Sequence, residues 1–309
     1  MIISQLFSRP SGISKKFIPL ALLLSVSVIW GSTFAIMKDS LDRLNVDSFL
    51  AWRFIIAALL MAIVRPQSLR HINLHFLIRG VIIGLILGSG YILQTFGLTL
   101  TSVAKTGFIT GLYAIFTPLI AAGLFKHSVT KVQWLAVVLS MLGLAILALK
   151  GLSLGLGEFL VVLSALFFAL HIIALSRWSP GRDAYALTII QMATVGVLAL
   201  ISTAKTGLHA PHDKGMWVAI IYTAIFASAF AFMVQTWTQS FMSATSVGII
   251  LTMEYVFAAV FGILLVHEHL TLRVTIGGTC MMIGLYLAIL FDGNENENHQ
   301  ITTERKNPS

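Results

Sequence analysis

QTFGLTLTSVAKTGFITGLYAIFTPLIAAGLFKHSVTKVQWLAVVLSMLGL (residues 94–144) and QTWTQSFMSATSVGIILTMEYVFAAVFGILLVHEHLTLRVTIGGTCMMIGL (residues 235–285) are two versions of one stretch. Shifted by 141 positions without a gap, they place Ser102 on Ser243, Gly107 on Gly248, Phe116 on Phe257, Thr130 on Thr271 and Gly143-Leu144 on Gly284-Leu285. Eleven of the 51 aligned positions are identical. Leucine, isoleucine, alanine and glycine match often by chance in so apolar a chain, so the polar Gln-Thr pair opening both copies carries more weight than the count. A second offset, 138, aligns Trp30 with Phe168 and Arg53 with Gln191. Internal repetition on this scale governs how every other feature is read.

The repeated material is apolar. The 309 residues are 57% hydrophobic and only 10% charged, with a mean hydropathy of +0.91. A water-soluble domain carries about 25% charged residues, so a chain with this composition needs lipid as its solvent. The net charge of +8 does not argue for nucleic acid, because the Lys and Arg residues stand singly between apolar runs and form no stripe. The single cysteine, Cys280, rules out an internal disulfide and a thiolate metal site.

A membrane-spanning helix needs about 20 mostly apolar residues. Ten runs qualify, near 17–37, 48–64, 76–99, 103–125, 132–150, 156–176, 184–203, 215–237, 244–266 and 272–291. Barrel-type alternation is absent from them, so the expectation is an all-α polytopic membrane protein. Arg9, Lys15 and Lys16 before FIPLALLLSVSVIW imitate a secretory signal, but the apolar run continues well past a short core to Met37.

The expected organisation is a cytoplasmic segment 1–16, a five-helix repeat 17–150, a second 151–291 and a disordered, polar cytoplasmic tail 292–309. Five is odd, so the copies would have inverted topology, a recurrent plan of secondary transporters. Orientation follows from the flanking cations. Arg9, Lys15, Lys16, Arg65, Arg70, Arg79, Lys126, Lys131, Arg177, Arg182, Arg305 and Lys306 fall on one side. Lys38, Arg43, Lys150, Lys205, Lys214 and Arg273 fall on the other. The richer side faces the cytoplasm, with both termini.

Against this background the intramembrane polar groups stand out. Glu254 lies ten residues into the ninth run, about 15 Å deep, where a charge costs about 2.5–3.5 kcal/mol. It is read as a substrate or proton site, against a neutral acid bonded between helices; Tyr113 is its repeat partner. Arg53 either snorkels to the headgroups or faces inward, as an anion binder or as counter-ion to Glu254. Lys105, shallower still, either snorkels to the headgroups or stands at an outer mouth where its ammonium would attract anionic solutes. His171 is a candidate for proton coupling or simply a satisfied buried ring. Gln94, Gln191 and Gln235 offer donors and acceptors without charge. Trp30, with Trp237, Tyr91, Tyr113 and Phe168, would line an apolar pocket or belong to an interfacial belt. Gly80, Gly84 and Gly88 form a close-packing ladder, and Pro118 is expected to kink its helix.

Catalytic and cofactor signatures are missing: there is no HExxH, phosphate-binding glycine loop or nucleophile elbow. The histidines of 209–213 and 267–269 lack ligand spacing on a helix. A channel would need a ring of like residues, and an intramembrane enzyme a nucleophile and base at one depth. These stay as the alternatives to a carrier.

WGSTFAIMK at 30–38 followed by Trp52-Arg53-Phe54 resembles the first-half signature of EamA-type transporters of the drug/metabolite transporter superfamily. KTGFITGLYAIFTPLIA at 105–121 is similar to that family's fourth helix and GEFLVVLSALFFALHIIALSR at 157–177 to its sixth. MEYVFAAVFGILLVHEHLT at 253–271 resembles its second-half pattern, with Tyr255 in place of a usual Pro and His267 in place of a Gly. The resemblance implies ten helices in two inverted repeats and transport of small metabolites, often the export of amino acids. It implies no cofactor. The expected partners are a small-molecule substrate and the lipid bilayer, with a proton or ion as a candidate coupled species. The chain is expected to act as a monomer or homodimer in a plasma membrane, the bacterial inner membrane by the same resemblance.

Overall fold

The computed structural model describes residues 14–70, 72–101, 103–125, 130–148, 155–257, 272, 275–284 and 286–287. The regular elements among them are all helical. In chain order they are α1 (Ser14–Leu41), α2 (Val46–Val64), α3 (Leu74–Leu100), α4 (Val103–Thr110), α5 (Tyr113–Phe125), α6 (Lys131–Ala148), α7 (Leu156–Trp178), α8 (Ala184–Ser202), α9 (Lys214–Tyr222), α10 (Ala231–Thr238), α11 (Ala244–Leu251) and α12 (Thr275–Gly284). A π-helical segment, Thr223–Phe230, joins α9 to α10. The helices begin where short polar side chains satisfy free amide groups. Asn73 accepts from Phe76 N, Asp183 from Tyr185 N, Asp213 from Met216 N and Ser243 from Ser246 N.

Among the described residues, five helical stretches are long and apolar enough to cross a bilayer: Val46–Val64, Leu74–Leu100, Leu156–Trp178, Ala184–Ser202 and Lys214–Thr238. Shorter apolar stretches run over Phe17–Thr33 within α1, Trp134–Gly143, Ala244–Phe257 and Thr275–Gly284. The chain is built inside out relative to a soluble protein. Ile63, Val218, Phe159 and Leu200 face outward, whereas Arg53, His171, Gln191, Gln235 and Glu254 are buried. That distribution suits a hydrocarbon surround, where outward-facing polar groups find no partner.

Small residues set the helix spacing. On α3, Gly80, Gly84 and Gly88 pack against successive turns of α8: Ile190, then Thr194 with Gln191 O, then Leu198 with Val195. A methyl group at Gly88 would come within 2.8 Å of Leu198. The ladder is therefore a packing seam, and α3 also lies along α7, where Gly97 meets Val161. Farther on, α6 and α12 cross at Gly143 and Gly284. A Cβ on Gly143 would meet Met281 N at 2.9 Å, and one on Gly284 would meet Ala136 O at 2.8 Å.

Three of the expected spans are not plain α-helices. The run 103–125 breaks at Gly111-Leu112, where Leu112 N bonds Ile109 O and Ala114 N bonds Gly111 O. The break lies nearly two turns before Pro118, so Pro118 sits inside α5 instead of at the kink. The run 244–266 turns at Thr252, with Thr252 N on Ile249 O and Tyr255 N on Thr252 O, before helix resumes through Phe257. Under the offset of 141, Gly111 is the counterpart of Thr252. The run 215–237 carries the π segment. The segments 1–13 and 288–309, and the motif around His267, lie outside the described residues.

Candidate functional site

The two helix breaks border one cavity, and the π segment leads into α10, which lines it; the space, counted with its open mouth, is about 590 Å³. Tight turns at these places bring side chains on either side of each break, Thr110 and Tyr113 on one, Leu251 and Glu254 on the other, to the same space. Trp30 and Thr33 reach it from α1, Arg53 from α2, Tyr91 and Gln94 from α3, Phe168 and His171 from α7, and Phe232 and Gln235 from α10. Aromatic rings form its walls. Tyr91 lies 5.4 Å from Phe168 and 5.9 Å from Phe232, and Phe232 lies 5.4 Å from Trp30 and 5.8 Å from His171.

Arg53 is 1% exposed and does not snorkel. Its Nε donates to Ser228 Oγ at 2.7 Å and its Nη2 to Ala227 O at 3.4 Å, while the guanidinium carbon stands 4.9 Å from the rings of both Phe54 and Tyr91. Trp30 Nε1 donates to the same Ala227 oxygen at 2.9 Å. These contacts explain how the π segment is held. A π turn shifts the backbone ladder by one residue, and Ala227 O accepts side-chain donors from α1 and α2. No carboxylate among the described residues stands within ion-pairing distance of Arg53, so of the alternatives left open for it, the pairing with Glu254 is not formed.

Glu254 is 4% exposed and lines the cavity, with Tyr255 beside it. Tyr113 lines the same space, and its hydroxyl is buried with no hydrogen-bond partner. Gln94 donates through Nε2 to Thr110 Oγ1 at 3.0 Å. His171 Nε2 meets Gln191 Oε1 at 2.9 Å. Gln191 stands behind that ring, outside the cavity wall, and its Nε2 donates to Leu187 O. Gln235 is held through Nε2 by Gln239 Oε1 at 3.0 Å. The side chain of Lys105 lies outside those described. Of the aromatic candidates, Trp30, Tyr91, Tyr113 and Phe168 meet at the cavity, whereas Trp237 packs on Phe241 away from it.

Several members were not singled out from sequence: Thr33, Thr110, Phe232, Ser228 and Gln239. The repeat held a signal for two of them, since Thr33 is the counterpart of His171 and Phe232 that of Tyr91. In fact, with the offsets of 138 and 141, twelve lining residues fall into pairs: Trp30 with Phe168, Thr33 with His171, Tyr91 with Phe232, Gln94 with Gln235, Thr110 with Leu251 and Tyr113 with Glu254. No group of three or more potential metal ligands occurs among the described residues.

Comparison with known proteins bears on the same residues. The model of the EamA-like transporter family matches twice, over residues 17–149 and 155–290. The chain belongs to the EamA-like transporter family. As such it is a multi-pass membrane protein of transporter kinship, and neither its family nor its relatives' names point to an enzyme. It is 30% identical over 262 residues to an uncharacterised transporter of Archaeoglobus fulgidus, covering 84% of this chain and 82% of the relative. A chloroplastic WAT1-related protein of Arabidopsis thaliana is 24% identical over 306 residues, covering 92% and 72%. One solved crystal structure superposes with a TM-score of 0.75 at 14% identity, covering 89% of this chain and 98% of that one. At that identity it bears on the fold alone.

Proposed function

We propose that this EamA-family protein is a secondary-type carrier that moves small metabolites, amino acids or related compounds, by alternating access through the central cavity. Residues 17–150 and 151–291 are read as two inverted five-helix repeats, giving ten membrane spans with both termini in the cytoplasm. The observation that carries this reading is the pairing of the cavity wall. Side chains 138 or 141 residues apart line one cavity, as two copies closing around a common axis would arrange them. The family model's two matches fall on the same halves. The crossing of α6 and α12 supports it too: Gly143 meets Met281 and Gly284 meets Ala136 and Ser140, and Met281 is the counterpart of Ser140. Transporters with inverted repeats place their site between the repeats, at interrupted helices, and the breaks at Gly111 and Thr252 are of that kind.

In this reading Glu254 carries charge recognition or proton exchange, Arg53 fixes the π segment at the cavity edge, and Tyr113, Gln94 and Gln235 supply polar recognition. Lys105 stands at the outer mouth. Export across a plasma membrane, by a monomer or homodimer, is the expected mode. Comparative metabolomics of medium and cells from deletion and overexpression strains would identify the solute. Uptake by purified protein in liposomes, with and without a pH gradient, would then test coupling. Cysteine-accessibility mapping that found both halves pointing the same way would overturn the reading.

A further inference from the structure

The polar side chains that line the cavity from α7 and α10, His171 and Gln235, are not free to choose their roles. Gln239 Nε2 lies 2.7 Å from Ile172 O and 2.9 Å from Ser176 Oγ. A backbone carbonyl can only accept, so the amide orientation of Gln239 is fixed and its Oε1 faces Gln235. Gln235 must then donate through Nε2, at 3.0 Å, which turns its Oε1 away as an acceptor. That oxygen is buried with no partner, on a residue that is 2% exposed and lines the cavity.

The neighbouring histidine is fixed by the same logic. Leu187 O accepts from Gln191 Nε2 at 3.2 Å, so Gln191 Oε1 faces His171 and takes its Nε2 proton at 2.9 Å. In the neutral ring Nδ1 is thereby left as an acceptor. Glu254 adds carboxyl oxygens to the same wall. This side of the cavity therefore offers acceptors, framed by the rings of Phe168 and Phe232.

We propose that Gln239, which does not itself line the cavity, is a positioning residue that makes this wall select ligands bearing N–H donors: protonated primary or secondary amines on an apolar body. The inference rests on the carrier reading for its location, and deepens it by naming the ligand chemistry. A quaternary ammonium of the same shape brings the charge and satisfies Glu254, but it leaves Gln235 Oε1 without a donor. An unmet buried acceptor weakens binding substantially.

The test uses the purified full chain in detergent and two probes, 2-phenylethylamine and its N,N,N-trimethyl analogue, with Trp fluorescence as the readout because Trp30 lines the cavity. The wild type is expected to favour the amine by about tenfold or more. Gln239→Leu frees the Gln235 amide to turn, and the preference is expected to fall to within about twofold. Structural damage alone would weaken both probes alike and leave their ratio unchanged. Gln235→Met removes the acceptor without touching the Gln239 anchors and is expected to give the same collapse, should Gln239→Leu not fold. Equal wild-type affinity for the two probes, or binding of neither at millimolar concentration, overturns the ligand class. A preference that survives both substitutions overturns the positioning role. If the preference holds and collapses as expected while liposomes show no amine flux, the carrier reading fails and the site assignment stands.

Discussion

Replacing Ser228 by alanine removes the oxygen that faces Nε of Arg53 at 2.7 Å. The guanidinium is 1% exposed, so water does not readily take that place. A hydrogen bond to a charged group contributes about 1.5–3 kcal/mol, and alanine returns about 0.5 kcal/mol of helix propensity relative to serine. The expected net cost is about 1–2.5 kcal/mol. With Arg53→Met already in place the hydroxyl has no cation to serve, and Ser228→Ala should then be neutral or slightly favourable. The coupling between the two positions is therefore expected at about 1–3 kcal/mol. Equilibrium unfolding in mixed micelles titrated with SDS, read by far-UV circular dichroism, measures all four corners of the cycle. If Ser228→Ala costs less than about 0.5 kcal/mol in the wild type, or as much with Arg53→Met as without it, the inward orientation of Arg53 is wrong.

Glu254→Gln should abolish substrate flux, or at least its dependence on pH, in proteoliposomes; normal transport across pH would remove Glu254 from the mechanism. Adding a methyl at the α6–α12 crossing, by Gly143→Ala or Gly284→Ala, pushes backbone against backbone and should cost about 1–3 kcal/mol, read as a lower thermal midpoint. Ala substitution at Gly123, where a Cβ meets nothing within 4 Å, should be silent in the same assay. Asp213 caps α9 and pairs with Arg43. The Met216 amide, followed by Arg43 and the Gly215 amide, holds its carboxyl below the usual carboxylate value. A depressed folded pKa gives stability that is present above the unfolded value, about 3.9, and is lost as pH falls through the folded one. The thermal midpoint should show no loss from this group between pH 7 and 5. Asp213→Asn, which keeps the cap, should lower it less than Asp213→Ala.

The helical membrane architecture was legible because composition and run length are global quantities that a few wrong boundaries do not disturb. The cavity's residues were legible for a different reason. A buried Glu254, Arg53 or His171 in hydrocarbon is costly, so depth alone marks it. What escaped was whatever depends on backbone detail. Nothing in TAIFASAF announces a π turn, since its residues suit an α-helix equally well. The break at Gly111-Leu112 was masked by Pro118, a louder signal seven residues away. Gln239 lay one turn beyond Gln235 and matters only through its amide's orientation, which comes from the Ile172 carbonyl of another helix. The choice between a snorkelling Arg53 and an inward one was likewise a question of side-chain direction, which helical spacing does not answer, and its bonds to Ser228 and Ala227 had no signal in the sequence.

The wide turn at Thr223–Phe230 holds slack that an ordinary ladder lacks. Its Ala231 amide reaches back five residues, to Phe226 O. Taking up a single residue of that slack would swing everything beyond it by about 100° about the helix axis. Phe232, Gln235 and Gln239 would rotate together like the blade of a key, leaving α9 at rest. The two donors clasping Ala227 O from separate helices, Trp30 and Arg53, are the wards that such a rotation would have to clear.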